Sequence, residues 1–163
     1  MALMERWKPS VTVAAIIERA GRYLLVEERT PEGLRLNNPA GHLDPGESII
    51  EAVVREALEE TARDLAPSHV VGVYLGRMQR ERTGEDITYL RFAIAGTVGE
   101  ELPGRVYDQP IERTLWMSLD ELRACPDRHR SPMLLCSIED HAAGRGFALD
   151  LLHMHPSVKL LHK

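Results

Sequence analysis

The sequence is poor in cysteine, and this scarcity limits the classes of protein to which it can belong. Its only two cysteines, Cys125 and Cys136, lie far apart in the sequence and form no Cys-x-x-Cys motif. A disulfide framework is therefore not expected, because such frameworks need several paired cysteines in an oxidising compartment. We predict a protein of the reducing cytoplasm.

The chain also lacks long apolar runs and an excess of basic residues. No apolar stretch reaches the length that spans a bilayer, and the first ten residues carry no signal-peptide core. The net charge is −5, which disfavours a nucleic-acid polymer as partner, since such proteins usually present a basic patch. A small anionic substrate remains compatible, because a bound divalent cation reverses the local charge. The sequence leaves monomer and homodimer open.

The pattern of apolar residues predicts one domain, residues 6–155, with a mixed sheet packed between helices. Two hairpins are expected, the first turning at Ala20-Gly21 and the second at ERTGED. The remaining predictions are a short strand TLWM, two C-terminal helices SLDELRAC and SPMLLCSIEDHAAG, loops at TPEGLRL and NNPAGHLDPGES, and a helix from Ser48 to about Asp64 that Pro67 ends.

The helix that begins at Ser48 separates apolar from acidic residues. At about 100° per residue, one side carries Ile50, Val53, Val54, Ala57, Leu58 and Leu65, and the other carries Glu56, Glu59 and Glu60. Favourable pairs four residues apart would suit a solvated face, whereas Glu56 and Glu60 repel each other. The acidic side is therefore either exposed to water or built for a cation.

The loop before this helix favours the cation. Two prolines and two glycines stiffen it, which a simple connection does not need: Pro39, Gly41, Pro45 and Gly46. It would bring the carbonyl of Ala40 beside the carboxylates, and oxygen atoms of both kinds are the ligands that Mg²⁺ takes.

This segment resembles the Nudix box. The box runs Gly, five residues, Glu, seven residues, Arg-Glu, an aliphatic and any residue, Glu-Glu, then any residue, Gly and an aliphatic. The matching residues are Gly41, Glu47, Arg55, Glu56, Ala57, Glu59 and Glu60. The resemblance implies a Nudix fold, an α/β/α sandwich of the α/β (α+β) class with a central mixed β-sheet. It further implies Mg²⁺-dependent hydrolysis of a nucleoside diphosphate derivative, with Mn²⁺ as a substitute.

The resemblance also implies roles for individual residues. Glu56, Glu59 and Glu60 would bind the metal together with the Ala40 carbonyl, and Glu56 or a neighbour would help to deprotonate water. Glu47 and Arg55 would brace the loop against the helix.

Three positions depart from the family pattern. Ala62 replaces the closing glycine, so the helix is expected to run longer or to end differently, and Arg63 replaces the final aliphatic residue. Some members use a further glutamate as base about six residues before the late tryptophan, where this chain has Pro110. The candidates for a replacement base are Asp108, Gln109, Glu101, Glu112 and an acid of the second strand.

Within the family, several stretches are similar to the NudJ-type phosphatases. This implies nucleoside di- and triphosphates, or 4-amino-2-methyl-5-hydroxymethylpyrimidine diphosphate, as substrates and orthophosphate as product. Those relatives tend to carry Trp where this chain has Leu36. Because Leu36 cannot stack on a base as an aromatic ring does, a pyrimidine preference is put in question.

The candidate substrate-binding residues are polar side chains near the box: Arg29, Arg35, Arg91, Asn38 and His42. Arginine suits bidentate contact with phosphate, and Arg91 stands out because it lies inside a strand. Each residue also has a structural interpretation as a surface charge or a loop hydrogen bond. The alternatives to a hydrolase are a catalytically weak Nudix-fold nucleotide-binding or regulatory module, and an interaction protein with an acidic helix.

Overall fold

Seven strands form one twisted sheet in the computed structural model, which describes residues 5–161. The strands are β1 (Ser10–Arg19), β2 (Arg22–Thr30), β3 (Gly33–Asn37), β4 (Ala40–His42), β5 (Leu65–Arg80), β6 (Glu85–Val98) and β7 (Ile111–Ser118). The main order is β3-β2-β1-β6-β5, with β4 paired to β1 and β7 paired to β2. Only β1 and β6 run parallel, so the predicted mixed sheet is confirmed.

Three α-helices flank the sheet: α1 (Ile49–Thr61), α2 (Leu119–Arg123) and α3 (Pro132–Ala142). Serine caps the first two, because the Ser48 and Ser118 hydroxyls each accept the amide N–H three residues later in a complete capping box. Such a cap satisfies amides that the helix leaves unpaired and stabilises it by about 1 kcal/mol. No helix within residues 5–161 is long and apolar enough to cross a membrane.

The two faces of the sheet bury separate apolar clusters. Alternate residues of β1 point to opposite faces, so Val13, Ala15 and Ile17 pack with Val53 and other residues of α1. The opposite face packs against α2 and α3 through Leu122, Leu134 and Ile138. Each fully buried aliphatic side chain contributes roughly 1.5–3 kcal/mol relative to exposure. The layers therefore stack as helix, sheet, helix, which confirms the predicted sandwich.

The structure corrects several predicted boundaries. Helix α1 ends at Thr61 and not near Asp64, because Ala62 adopts the left-handed conformation (φ 54°) while its N–H still bonds to Leu58 O. Pro67 lies inside β5, next to a register irregularity that removes the need for its missing N–H.

Two segments predicted as loops contain strands. The end of TPEGLRL forms β3, which pairs with β2, and the Ala40–His42 part of NNPAGHLDPGES pairs with β1. Prolines and glycines obscured both strands at the level of local sequence, since their pairing depends on residues far along the chain. Strand β7 is likewise longer than TLWM.

Candidate active site

Strand β4 and helix α1 approach each other closely, and Gly41 makes this approach feasible. A Cβ atom at Gly41 would overlap the carboxylate of Glu56. Glu56 is consequently only 9% exposed, although it belongs to the side of the helix that polarity assigns to solvent. The acidic side of α1 thus packs against strand β4 and is not simply a solvent-exposed face.

Arg55 connects the loop to the acidic helix. Its guanidinium donates to both oxygens of Glu47 at 3.0 and 2.7 Å, and to the carbonyl of His42 at 2.9 Å. Its Nη1 donates to Glu56 Oε1 at 2.7 Å and to Glu59 Oε2 at 3.1 Å. Hydrogen bonds from Arg55 lower the pKa of Glu47, and those to Glu47 and Glu56 raise the pKa of Arg55. These contacts are the ones a loop–helix brace requires.

Glu60 is in a different electrostatic state. Its Oε2 accepts one hydrogen bond, from Ala40 N–H at 2.9 Å, and it has no ion-pair partner among residues 5–161. Burial raises the pKa of Glu60 to about 9, in spite of the Ala40 bond, and the charges of Glu56 and Glu28 push it the same way. Burial also raises the pKa of Glu56, outweighing the opposing effect of Arg55. Among the three carboxylates on the cavity side of α1, Glu60 is therefore the one without an arginine partner within residues 5–161.

The backbone of Ala40 faces these carboxylates. Its neighbours Pro39 and Leu43 bond to β1 through Ala15 N and Val11 O, whereas Ala40 N–H points to Glu60. In a strand the N–H and C=O of one residue point to the same side, so the Ala40 carbonyl also points towards the helix.

The donor chemistry fits a hard divalent cation. Three carboxylates and a carbonyl supply only oxygen, which Mg²⁺ prefers, and their excess negative charge calls for a cation. Within the described residues, however, no three acidic, histidine or cysteine side chains converge as a ready metal cluster. Arg55 bonds to Glu56 and Glu59, and Ala40 N–H bonds to Glu60. The carboxylates would have to turn from these partners to share an ion.

A cavity of about 490 Å³ opens beside the helix. Its acidic wall contains Glu56, Glu59 and Glu60, and residues from eight other segments of the chain complete it. The other lining residues are Thr12, Glu28, Asn37, Ala40, Gly41, His42, Asp44, Met78, Tyr89, Arg91, Asp108, Gln109, Pro110, Arg130, Ser131 and Met133. It is the size of a small-molecule site.

Two of the predicted substrate-binding residues line this cavity, His42 and Arg91. Arg91 is only 5% exposed, and burial lowers its pKa to about 10. Its guanidinium donates to the side-chain oxygens of Asn38 at 3.3 Å and Asn37 at 3.2 Å. Asn38 is thus placed behind Arg91 and not on the cavity surface. Substrate contact by these residues remains a prediction.

Three other residues lie away from the cavity. Arg29 is mostly exposed and pairs with Glu112 at 2.8 Å. Arg35 lines a separate, smaller depression of about 320 Å³ that shares Met78 and Arg130 with the main cavity. Leu36 is fully buried in the core. The sequence interpretation, which placed this side chain where it could contact a base, is therefore wrong. The geometry does not favour substrate contact by Arg29.

Of the candidate replacement bases, three line the cavity: Asp108, Gln109 and the second-strand acid, which is Glu28. Glu112 pairs with Arg29 instead, and Glu101 accepts the Tyr107 hydroxyl at 2.6 Å. Asp108 is held over the end of α1, because its N–H donates to Glu59 O.

Sequence reasoning missed Arg130, Ser131 and Tyr89 as cavity residues. Arg130 is tied to β3 by its N–H, which donates to Leu36 O, and its side chain lies beside Glu28. No local motif marks these residues, since they reach the cavity only through the packing of α3 and β6. An arginine directly before a predicted helix was the single available signal.

Comparison with known proteins agrees with this geometry. The family model of the NUDIX domain matches residues 6–135. The chain belongs to the Nudix hydrolase family. Phosphatase NudJ of Escherichia coli K12 is 32% identical over 146 residues, covering 90% of this chain and 92% of that protein.

Solved structures show the same relationship. A NUDIX hydrolase from Nitrosomonas europaea is 47% identical, covers 91% of this chain and 98% of its own, and superposes with a TM-score of 0.81. A bifunctional NMN adenylyltransferase/ADP ribose pyrophosphatase from Francisella tularensis, complexed with AMP and a Mn ion, shares the fold at 20% identity. Its TM-score is 0.57, over 77% of this chain and 38% of that one. This chain is therefore a hydrolase of the family that acts on diphosphates with divalent metals.

The two departures from the Nudix box are accommodated locally. Ala62 takes the left-handed conformation that glycine would take, and ends α1 at the box's usual point. Arg63 is buried and donates to Gly99 O at 2.8 Å, near Glu100 and Glu101. Arg63, which replaces the aliphatic residue of the box, therefore anchors the loop between β6 and β7. Asp108 reaches the cavity from this loop.

Proposed function

We propose that this Nudix hydrolase uses Mg²⁺, with Mn²⁺ able to substitute, to hydrolyse a nucleoside di- or triphosphate or a related small diphosphate. Hydroxymethylpyrimidine diphosphate is one such compound. The observation that carries the proposal is Glu60, a partly buried carboxylate in the cavity wall without an ion-pair partner in residues 5–161. Burying an unpaired carboxylate is costly, and a divalent cation would supply the missing charge.

Glu56, Glu59, Glu60 and the Ala40 carbonyl would hold the ion. When bound, Mg²⁺ neutralises the charge that develops on the diphosphate and orients its oxygens. Arg55 would keep the carboxylates near one another through its bonds to Glu56 and Glu59.

The cavity also supplies positive charge for the substrate. Arg91 and Arg130 line it, and a guanidinium binds phosphate oxygens through two parallel N–H donors. His42, beside the acidic helix, would contact the same phosphates. A diphosphate would thus meet positive charge from a bound cation and from arginine.

The relatives support the reaction class. The Escherichia coli relative is named a phosphatase, and the Francisella structure holds AMP with a Mn ion. Both descriptions belong to those proteins. We propose the same chemistry here because the cavity is lined by the carboxylates of α1 and also by Arg91 and Arg130.

A substrate panel tests the proposal. Purified protein is incubated with nucleoside di- and triphosphates and with hydroxymethylpyrimidine diphosphate, and orthophosphate and pyrophosphate are scored separately. We expect release of one of the two in Mg²⁺, restored by Mn²⁺ and abolished by EDTA. Turnover that persists after complete chelation would contradict the metal assignment, and no turnover across the panel would contradict the substrate class.

A further inference from the structure

Unsatisfied polar atoms are concentrated in the candidate active site. Five buried side-chain nitrogen or oxygen atoms in residues 5–161 have no hydrogen-bond partner, and four belong to residues that line the 490 Å³ cavity. These four are Thr12 Oγ1, Glu28 Oε1, Arg91 Nε and Ser131 Oγ. An unsatisfied buried polar group costs about 1–3 kcal/mol, so such a concentration calls for a ligand.

Glu28 is the central member of this group. Its side chain is 12% exposed, and burial raises its pKa. Arg130 Nε lies 3.2 Å from Glu28 Oε1, yet its N–H is not aimed at the oxygen, which accepts no hydrogen bond. The carboxylate therefore retains a free acceptor beside the cavity.

The preceding residue shows that this state is not general for buried glutamates here. Glu27 points to the other face of β2 and accepts from Arg113 at 2.8 Å and Arg128 at 2.7 Å. Those bonds, first the one from Arg113, lower its pKa. Glu27 is thus buried and Glu28 partly buried, but only Glu28 keeps a buried oxygen without a hydrogen-bond partner in the protein.

The cavity continues into a second, less polar space. This second cavity, of about 420 Å³, shares Met78, Tyr89, Arg130, Ser131 and Met133 with the first. Methionine and tyrosine side chains provide apolar surfaces against which a ring can lie. Glu28 and Ser131 therefore lie where a flat group attached to a diphosphate would meet both polar acceptors and apolar walls.

We propose that Glu28, with Ser131 and Thr12, reads a hydrogen-bond donor on the non-phosphate part of the substrate. This group would be a heterocycle bearing an amino or ring N–H, such as the amino group of a cytosine-type pyrimidine. A carboxylate accepts such an amino group directly. The inference rests on the proposed function for the diphosphate, and it identifies the class of the attached group.

The proposal predicts discrimination between cytosine and uracil. Cytosine presents an amino donor where uracil presents a carbonyl oxygen, which would face the Glu28 carboxylate with like polarity. Calorimetric binding of CMP and UMP in EDTA measures this without turnover or metal. We expect CMP to bind roughly tenfold or more tightly than UMP, which corresponds to one lost polar contact.

The decisive variants are Glu28→Gln and its neighbour Glu27→Gln. We expect Glu28→Gln, an isosteric change, to weaken CMP binding roughly tenfold, to change UMP binding by less than about threefold and to leave Tm no lower than in the wild type. Glu27→Gln should lower Tm, because it breaks two bonds to arginine, but keep the ratio of CMP to UMP affinity.

Several results would overturn the proposal. Equal affinities for CMP and UMP that Glu28→Gln does not change would mean that ordered water alone satisfies these atoms. Retained discrimination in Glu28→Gln, with kcat lost equally for cytidine and uridine substrates, would make Glu28 a proton acceptor for water. If binding follows the expectation while no substrate is hydrolysed, the proposed function fails and this inference stands.

Discussion

The carboxylates near the two ends of helix α1 have opposite electrostatic environments. Near its start, Glu47 is bonded by Arg55 through both oxygens and its pKa is lowered. At its last turn, Glu60 is partly buried with one amide as donor and its pKa is raised to about 9. The first arrangement is complete within the protein and stabilises the loop. The second leaves a carboxyl group without an ion-pair partner within residues 5–161, which is why we propose the metal site at the end of the helix.

The largest effect is expected for Glu60→Gln. If Glu60 binds the metal, the amide weakens the site, and kcat/KM falls roughly 10³-fold. The Mg²⁺-induced rise in Tm should disappear as well, because a ligand stabilises only the state that binds it. A variant with wild-type turnover and an unchanged Mg²⁺ effect would remove Glu60 from the site.

Without metal, the same variant should be more stable than the wild type. The folded-state pKa of Glu60 is raised from 4.5 to about 9, so stability is full below pH 4.5 and is lost as pH rises towards 9. At pH 7, replacing the carboxyl by an amide should raise the free energy of unfolding by up to about 3 kcal/mol. Urea unfolding in EDTA at pH 5 and pH 7 measures this, and the gain should be smaller at pH 5.

Arg55→Gln tests the contacts between the Glu47 loop and the helix. The change leaves Glu47, Glu56 and Glu59 without their shared cation, and one partner removed from a largely buried network costs about 2–4 kcal/mol. Arg77→Gln is the matched control, since Arg77 pairs with Asp86 at 2.6 Å on the exposed surface. A destabilisation by Arg55→Gln no greater than that of the control would show that the brace is unimportant.

Gly41→Ala tests whether metal binding and stability depend on the close approach of β4 to helix α1. The new Cβ would overlap the Glu56 carboxylate, so the strand or the side chain must shift, at about 1–3 kcal/mol. We expect weaker Mg²⁺ binding by calorimetry together with a lower Tm. Gly99→Ala is a suitable control, because a Cβ there meets no atom within 4 Å.

The sequence predicts the box side of the site better than the substrate side. Glu47, Arg55, Glu56, Glu59 and Glu60 lie within one loop and one helix, where spacing along the chain determines spacing in the structure. Arg130 and Ser131, which directly precede α3, lie at least 70 residues further along the chain and also line the cavity. Their contribution depends on sheet order and helix packing, which local patterns do not encode.

Glu27 and Glu28 illustrate this limit. Both are glutamates of one strand, and period-two alternation predicts that they face opposite sides. Which of them accepts hydrogen bonds from arginines and which lines the cavity depends on β7 and on the segment around Arg128. Leu36 shows the converse error, because a position expected near the substrate is inside the core.

The smallest effect is expected for Ala62→Gly, which restores the closing residue of the Nudix box. Glycine would remove about 1 kcal/mol of left-handed strain, but it adds chain entropy of about 0.5–1 kcal/mol and removes a buried methyl of about 0.8 kcal/mol. These contributions oppose one another, so the free energy of unfolding should change by less than about 1 kcal/mol, with kcat unchanged. Ala20→Gly is the control, because Ala20 is also left-handed (φ 52°) but exposed. It should be the more favourable substitution by about the value of the buried methyl, and a reversed order would show that Ala62 is strained beyond its backbone angle.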